Sequence, residues 1–250
     1  MDLTEYRNNA AEKARVGDLI GLLPAGGESV LDIGARDGFI SRLLTSHFSK
    51  VTALDLEMPL IDHEQIQCVK GNIADLHFPN AAFSLVFCAE VLEHIPPPLL
   101  ELACCEMARV SKAHVLVGVP YKQDIRVGRT TCGACGKISP PWGHVNRFDE
   151  NRLSRLFPEF VVAKTSFVGE SDAQTNLLSC ALMDAAGNPY GTYSQEEPCG
   201  HCGSKLTGPR TRSYFQKVLT KAAFITRSAQ QPFVKTHPNW IHVLLQKRIN

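Results

Sequence analysis

Two repeated spacings carry the most distinct chemistry in this chain. Cys132-Gly133-Ala134-Cys135-Gly136 and Cys199-Gly200-His201-Cys202-Gly203 both read C-x2-C-G. Two residues between thiols, with glycine after the second, make a tight turn that presents both sulfurs to one ion. Two such turns complete a closed tetrahedral S4 site of the structural zinc type. Cys132, Cys135, Cys199 and Cys202 are therefore the expected metal ligands. His144 or His201 in place of one cysteine is an alternative set, and four thiolates also accept iron. A redox role for one pair is disfavoured, because two turns would then share a form by accident. Cys68, Cys88, Cys104, Cys105 and Cys180 sit in apolar contexts and read as small buried hydrophobes. The usage suits a reducing cytoplasm rather than a disulfide framework.

The second chemical feature is Val30-Leu31-Asp32-Ile33-Gly34-Ala35-Arg36-Asp37-Gly38-Phe39-Ile40-Ser41-Arg42-Leu43-Leu44. An apolar run containing an acid reads as a buried parallel strand, and the spacing after Gly38 is helical. A strand, a glycine turn and a helix bring backbone N–H groups close to a ligand. A nicotinamide dinucleotide needs G-x-G-x-x-G, and the matching positions here are Gly34, Arg36 and Phe39, so a dinucleotide is disfavoured. S-Adenosylmethionine carries no phosphate and needs an acid for its two ribose hydroxyls. Asp55, at the end of the next strand, is placed for that.

Residues 30–121 resemble the class I S-adenosylmethionine-dependent methyltransferases, nearest the type 11 group. Val30-Leu31-Asp32-Ile33-Gly34 with Asp37-Gly38 is similar to that family's first motif, and Val51-Thr52-Ala53-Leu54-Asp55 to its ribose-binding strand. Gly71-Asn72-Ile73-Ala74-Asp75-Leu76 resembles the adenine loop, with Asn72 where the family more often has Asp. Phe83-Ser84-Leu85-Val86-Phe87-Cys88-Ala89-Glu90-Val91-Leu92-Glu93-His94-Ile95 resembles the fourth-strand motif. The resemblance implies cofactor contacts at Asp32, Gly34, Ala35, Arg36, Gly38, Asp55, Leu56, Asn72, Ile73, Ala89 and Glu90. It also implies methyl transfer. Arg36 stands where the family has its central glycine; its side chain either narrows the pocket or meets a carboxylate.

Methyl transfer is an in-line displacement at an electrophilic sulfonium, so positioning supplies most of the acceleration. A general base helps only where the acceptor must lose a proton. Glu90, His94, Tyr121 and His144 are the candidates for the acceptor side. His94, near a helix start, and His144, before a capped helix, read equally as structural. No Asn-Pro-Pro-Tyr-type stretch follows the fourth strand, where Ala89-Glu90-Val91-Leu92 stands, which argues against methylation of a base's exocyclic amine. The expected acceptor is a small molecule or a glycan- or lipid-linked anion. RNA or protein, read by the zinc module, is the alternative, and a non-catalytic S-adenosylmethionine-binding scaffold is another.

Charge divides the chain. The net charge is +1, yet all 25 acids lie at or before Glu197, and Lys205, Arg210, Arg212, Lys217, Lys221, Arg227, Lys235, Lys247 and Arg248 follow without any acid. The basic 205–235 segment is a candidate site for an anionic partner. Its bland reading is a solvated face lying against the chain's own acidic core. No apolar run reaches the roughly 20 residues of a membrane span, and the polar N-terminus does not read as a secretory signal. A cytoplasmic location is the expectation.

The elements that must position these residues alternate. An amphipathic helix is expected over 3–23, strands at 29–33, 50–55, 66–69, 83–88 and 114–119, and helices from Gly38 to about Ser46 and from about Leu99 to Val110. Strands alternating with helices predict an α/β, Rossmann-like, doubly wound sheet. A loop-rich stretch follows over 122–147, then an Asp149-capped helix and a strand at 160–167. Residues 171–186 and 210–228 read as helices, the second basic and amphipathic, with Tyr214, Phe215, Val218, Ala222 and Ile225 on one stripe. Trp240–Gln246 is expected as the seventh strand, antiparallel, with Leu177–Met183 the runner-up. The expected organisation is one methyltransferase domain over 1–250. Its core is 1–121, 148–170 and 238–250, and its zinc-stapled substrate module is 122–147 and 171–237.

Overall fold

Strands covered on both faces must be apolar throughout, and the runs that read so in the sequence form the centre of the sheet. A computed structural model describes residues 9–195 and 197–248. They divide into two compact units, the first within Met1–Tyr121, Phe148–Gly169 and Pro238–Asn250, the second within Lys122–Arg147 and Glu170–His237.

The first unit opens with helix α1 (Ala10–Gly21), capped by the Asn9 side chain, which accepts from the Ala11 N–H. The helix expected over 3–23 is thus found here, and its positions 3–8 lie outside the described residues. Strand β1 (Ser29–Ile33), helix α2 (Phe39–Leu44), β2 (Lys50–Asp55), β3 (Ile66–Lys70), β4 (Phe83–Ala89), helix α3 (Pro97–Val110) and β5 (Ser111–Pro120) follow. Helix α4 (Glu150–Leu156), β6 (Phe160–Val168) and β7 (Trp240–Lys247) complete the unit. The seven strands run β3-β2-β1-β4-β5-β7-β6. The pairs among β1–β5 are parallel, and β7 is antiparallel to both β5 and β6. This is the Rossmann-like sheet that the sequence predicts, with the last strand antiparallel.

Two apolar layers cover the sheet. Leu31, Val86, Val115 and Val117 pack with Leu100 and Met107 of α3, and Val30, Leu85, Phe87 and Leu116 with Leu19 and Leu44. The face of α1 that meets the sheet also carries polar ties. Asp18 accepts from Ser166 Oγ and lies against His242 Nδ1, both at 2.6 Å.

Several boundaries differ from expectation. Helix α3 begins at Pro97 rather than Leu99, because proline suits a first turn. Strand β5 begins at Ser111 rather than His114: α3 runs into it without a loop, and buried Ser111 donates to the His114 carbonyl. Helix α2 ends at Leu44 rather than Ser46.

The second unit holds a short hairpin pairing Thr130–Thr131 with Ile138–Ser139, and helices α5 (Leu177–Ala185) and α6 (Tyr214–Gln230). The segment expected as helix over 171–186 is helical only in its second part. Ser171 instead pairs with His237, and Asn176 caps α5 by accepting from the Ser179 N–H. The runner-up strand, Leu177–Met183, lies wholly within α5. Gly187, at φ +81°, stops that helix as expected. Helix α6 starts at Tyr214 rather than 210, because Ser213 and Gln216 form a reciprocal capping box. Ser179 Oγ and Asn176 Nδ2 bond the Ala223 and Thr226 carbonyls and hold α5 to α6. Among the described residues no helix is long and apolar enough to cross a membrane.

Candidate cofactor loop and metal centre

The loop after β1 is built by backbone contacts that few side chains permit. Gly34 and Ala35 N–H groups both donate to the Leu54 carbonyl, at 2.8 and 3.1 Å. Gly34 lies at φ +81°, and a Cβ there would sit 2.4 Å from Val91 Cγ2. Gly38 lies at φ +79°, where a Cβ would sit 2.3 Å from Ile61 Cδ1. Both positions therefore require glycine. Arg36 is also left-handed, at φ +48°, with its residue exposed. A glycine is the unstrained choice for that backbone, which explains its place in the related motif.

Asp55 closes the loop from the neighbouring strand. Its Oδ2 accepts from the Arg36 N–H at 2.9 Å and its Oδ1 from the Leu56 N–H at 2.7 Å. Each oxygen keeps a lone pair for an incoming hydroxyl. Asp32, two residues before Gly34, is buried and accepts from Ser41 Oγ at 2.5 Å. Burial pushes its carboxyl up to about 7; the Asp55 charge adds to this and the Ser41 bond opposes it. Beyond β3, Asn72 Oδ1 accepts from the Ala74 N–H at 2.9 Å, forming a tight turn that leaves Asn72 exposed and Ile73 buried.

Ala89 ends β4, and Glu90 follows at φ +56° with its N–H bonded to the Gly118 carbonyl. The Glu90 carboxylate accepts from Trp240 Nε1 at 3.3 Å and lies 4.0 Å from the Arg15 guanidinium. Arg15 itself forms a buried two-pronged bond to Glu12, at 2.6 and 2.8 Å. Burial raises the Glu90 pKa against the pull of Arg15. Glu93 is fully buried, and burial together with the neighbouring Glu90 raises its pKa. One of its oxygens lies within 4.8 Å of a His94 ring nitrogen. Tyr121 donates its hydroxyl to Glu150 at 2.8 Å and packs edge-on against Phe167. His144 belongs to the second unit, where its Nδ1 lies 2.7 Å from Gln123 Oε1 beside Trp142.

Glu12, Arg15, Glu93 and Trp240 carried no site role in the sequence reading. Glu12 and Arg15 stand three apart on an amphipathic helix, a spacing that normally marks a surface pair. Only the packing of α1 against the sheet turns that pair inward.

In the second unit the two cysteine turns have the same construction. The Cys132 N–H donates to the Lys137 carbonyl and the Gly136 N–H to the Cys132 carbonyl; Cys199 with Ser204, and Gly203 with Cys199, repeat both bonds. Gly136 and Gly203 take φ +69° and +70°. The Cys132–Cys202 and Cys135–Cys199 Sγ pairs are each 3.7 Å apart, and all four sulfurs lie within 4.8 Å of one another. Thiolates about 2.3 Å from a tetrahedral zinc are about 3.8 Å apart, so the four donors fit such an ion. The backbone N–H of His201 is the main cause that draws the Cys199 thiol down to about 6. Leu206 and Tyr193 shield the cluster.

Five parallel strands extended by two antiparallel ones, with a glycine loop after β1 and an acid ending β2, define an α/β domain of the Rossmann-like class. Comparison with known proteins narrows this. The family described as "Methyltransferase domain" matches residues 31–117. An uncharacterized methyltransferase of Mycobacterium tuberculosis is 32% identical over 136 residues, covering 49% of this chain and 69% of that protein. The ubiquinone biosynthesis O-methyltransferase of Paracidovorax citrulli is 28% identical over 102 residues, covering 36% of this chain and 43% of that enzyme. The match thus spans less than half of the ubiquinone enzyme. The solved Burkholderia thailandensis 1,6-didemethyltoxoflavin-N1-methyltransferase, with bound 1,6-didemethyltoxoflavin and S-adenosylhomocysteine, shares the fold at TM-score 0.55 and 14% identity. The superposition covers 98% of this chain and 82% of that one. The chain belongs to the class I S-adenosylmethionine-dependent methyltransferases.

Proposed function

We propose that the protein methylates a small molecule or a glycan- or lipid-linked anion, using S-adenosylmethionine held by the loop after β1 and by Asp55. The observation that carries this is the double backbone anchorage of Asp55, which fixes both carboxylate oxygens with lone pairs to spare. When bound, the cofactor supplies an electrophilic methyl group on a sulfonium. In this reading Asp55 accepts from the ribose hydroxyls, while Asp32, Gly34, Ala35, Arg36 and Gly38 frame the amino-acid end. Leu56, Asn72 and Ile73 frame the adenine, and Ala89 with Glu90 the sulfonium side.

Glu90, His94 and Tyr121, all in the first unit, are the acceptor-side residues of the proposal, and His144 of the second unit is a separate candidate. Glu90, with its raised pKa, suits taking a proton from an acceptor hydroxyl better than an ordinary carboxylate does. Tyr121 is held by Glu150 and serves as a positioned wall rather than a mobile acid. The four thiolates of Cys132, Cys135, Cys199 and Cys202 hold a structural zinc that staples the second unit. A reducing, cytoplasmic setting is part of this proposal.

The experiment is incubation of the purified protein with methyl-labelled S-adenosylmethionine and fractionated cell extract. Label in small-molecule or lipid fractions supports the reading. Label confined to RNA or protein transfers the proposal to a macromolecular acceptor read by the zinc module. Cofactor binding without transfer to any fraction points to a scaffold.

A further inference from the structure

Helix α6 (Tyr214–Gln230) is built with its apolar side outward. The residues turned to its neighbours include Gln216, Leu219, Thr220, Ala223 and Thr226, of which only Thr220 and Ala223 are buried. Phe224 packs edge-on against Tyr190. Tyr214, Val218 and Ile225 occupy the centre of the opposite side at steps of four and seven, with Phe215 and Ala222 along one edge. Tyr214, Phe215 and Ile225 are 83, 69 and 60% exposed, and Phe233, just beyond the helix, 84%. An ordinary surface helix turns such a stripe inward. Along the other edge, Lys217, Lys221 and Arg212 line a groove of about 570 Å³ with Tyr190 and Phe224. The Arg212 guanidinium lies over the Tyr190 ring, 5.4 Å from its centroid.

We propose that this face of α6 docks on the surface of an anionic lipid bilayer, with Tyr214, Val218 and Ile225 at the acyl boundary and the Lys217–Lys221 groove receiving a headgroup phosphate. An exposed apolar stripe edged by cations is the pattern of a helix lying in a membrane interface. Charge selects the occupant. Residues 198–248 contain no acid, so a second copy would place lysines against lysines with no counter-charge on either helix. A nucleic acid would satisfy the lysines and leave the aliphatic stripe in water. An anionic bilayer satisfies both. The proposal rests on the reading of 205–235 as an anion-binding segment. It is independent of the cofactor site, so its failure leaves S-adenosylmethionine binding untouched.

The test is sedimentation of the full chain with phosphatidylcholine vesicles, with and without phosphatidylglycerol, at low and high salt. Binding is expected only to the anionic vesicles, weakening with salt. It should fall by about tenfold or more in Lys217→Glu/Lys221→Glu, given about 1 kcal/mol per basic residue at such a surface. A comparable loss is expected in Val218→Asn/Ile225→Asn, whose residues are 46 and 60% exposed and whose circular dichroism should be unchanged. Three results overturn the proposal. One is no sedimentation with anionic vesicles. Another is vesicle binding that survives Val218→Asn/Ile225→Asn, which reduces it to loose attraction between charges. The third is occupation of the face by another partner, read either as displacement from vesicles by single-stranded RNA or as a dimer in analytical ultracentrifugation that Val218→Asn/Ile225→Asn dissociates.

Discussion

The backbone N–H of Arg36 donates to Asp55 Oδ2 at 2.9 Å, so the loop after β1 and the acid ending β2 form one rigid part. The backbone at Arg36 is left-handed, φ +48°. A residue with a Cβ occupies a conformation that glycine adopts freely.

Replacing Arg36 with glycine should therefore stabilise the protein. Relief of the left-handed strain is worth about 1–2 kcal/mol, and the freer unfolded chain returns about half of that. Urea unfolding should show a net gain of about 0.5–1 kcal/mol. A loss would mean that the Arg36 side chain contributes more than its backbone costs.

Asp32 makes stability fall with pH. Its carboxyl is raised by burial to about 7 in the folded protein, from an ordinary value of about 3.8. Between these values the unfolded chain has released the proton while the folded protein keeps it, so unfolding releases a proton. Stability is full below about pH 4 and declines as pH rises to 7, by up to about 4 kcal/mol from this one group. Asp32→Asn removes the titration. Urea midpoints at pH 5 and pH 7.5 should lie closer together in Asp32→Asn than in the wild type.

The cysteine cluster should hold one zinc per chain. Metal binding at such sites contributes on the order of 10 kcal/mol to folding of the surrounding segment. Cys132→Ser or Cys199→Ser should cut zinc content sharply and speed amide exchange in 122–147 and 190–210, with the seven-stranded sheet still protected. Plasma mass spectrometry of protein purified without chelator gives the stoichiometry.

The sheet was legible in the sequence because β1, β2 and β4 are largely buried and mostly apolar, with only Asp32, Thr52 and Ser84 breaking their inner positions. The antiparallel strand was legible in Trp240–Gln246 for the same reason. Strand β5 hid its start, since Lys112 and His114 interrupt the apolar run while Ser111 is buried. The loop glycines could be named because their left-handed backbone demands that residue type, and Asp55 because an acid ending the second strand offers two acceptor oxygens. Glu93 could not: its raised pKa comes from full burial beside Glu90, which no local pattern encodes. Nor could the orientation of α6. Its stripe was plain in the spacing, but α5 holds the helix through Ser179 and Asn176 bonded to the Ala223 and Thr226 carbonyls, and the stripe of Tyr214, Val218 and Ile225 is left outward.

The central claim is that Asp55 and the loop it anchors hold S-adenosylmethionine. Isothermal titration of the cofactor into wild type and Asp55→Ala tests this most directly. The account predicts binding in the wild type and a loss of about 1.5–3 kcal/mol in Asp55→Ala, where a charged acceptor for two hydroxyls has gone. NADH titrated in the same way should give no heat. Equal affinity for S-adenosylmethionine in wild type and Asp55→Ala would contradict the account and remove Asp55 from the site.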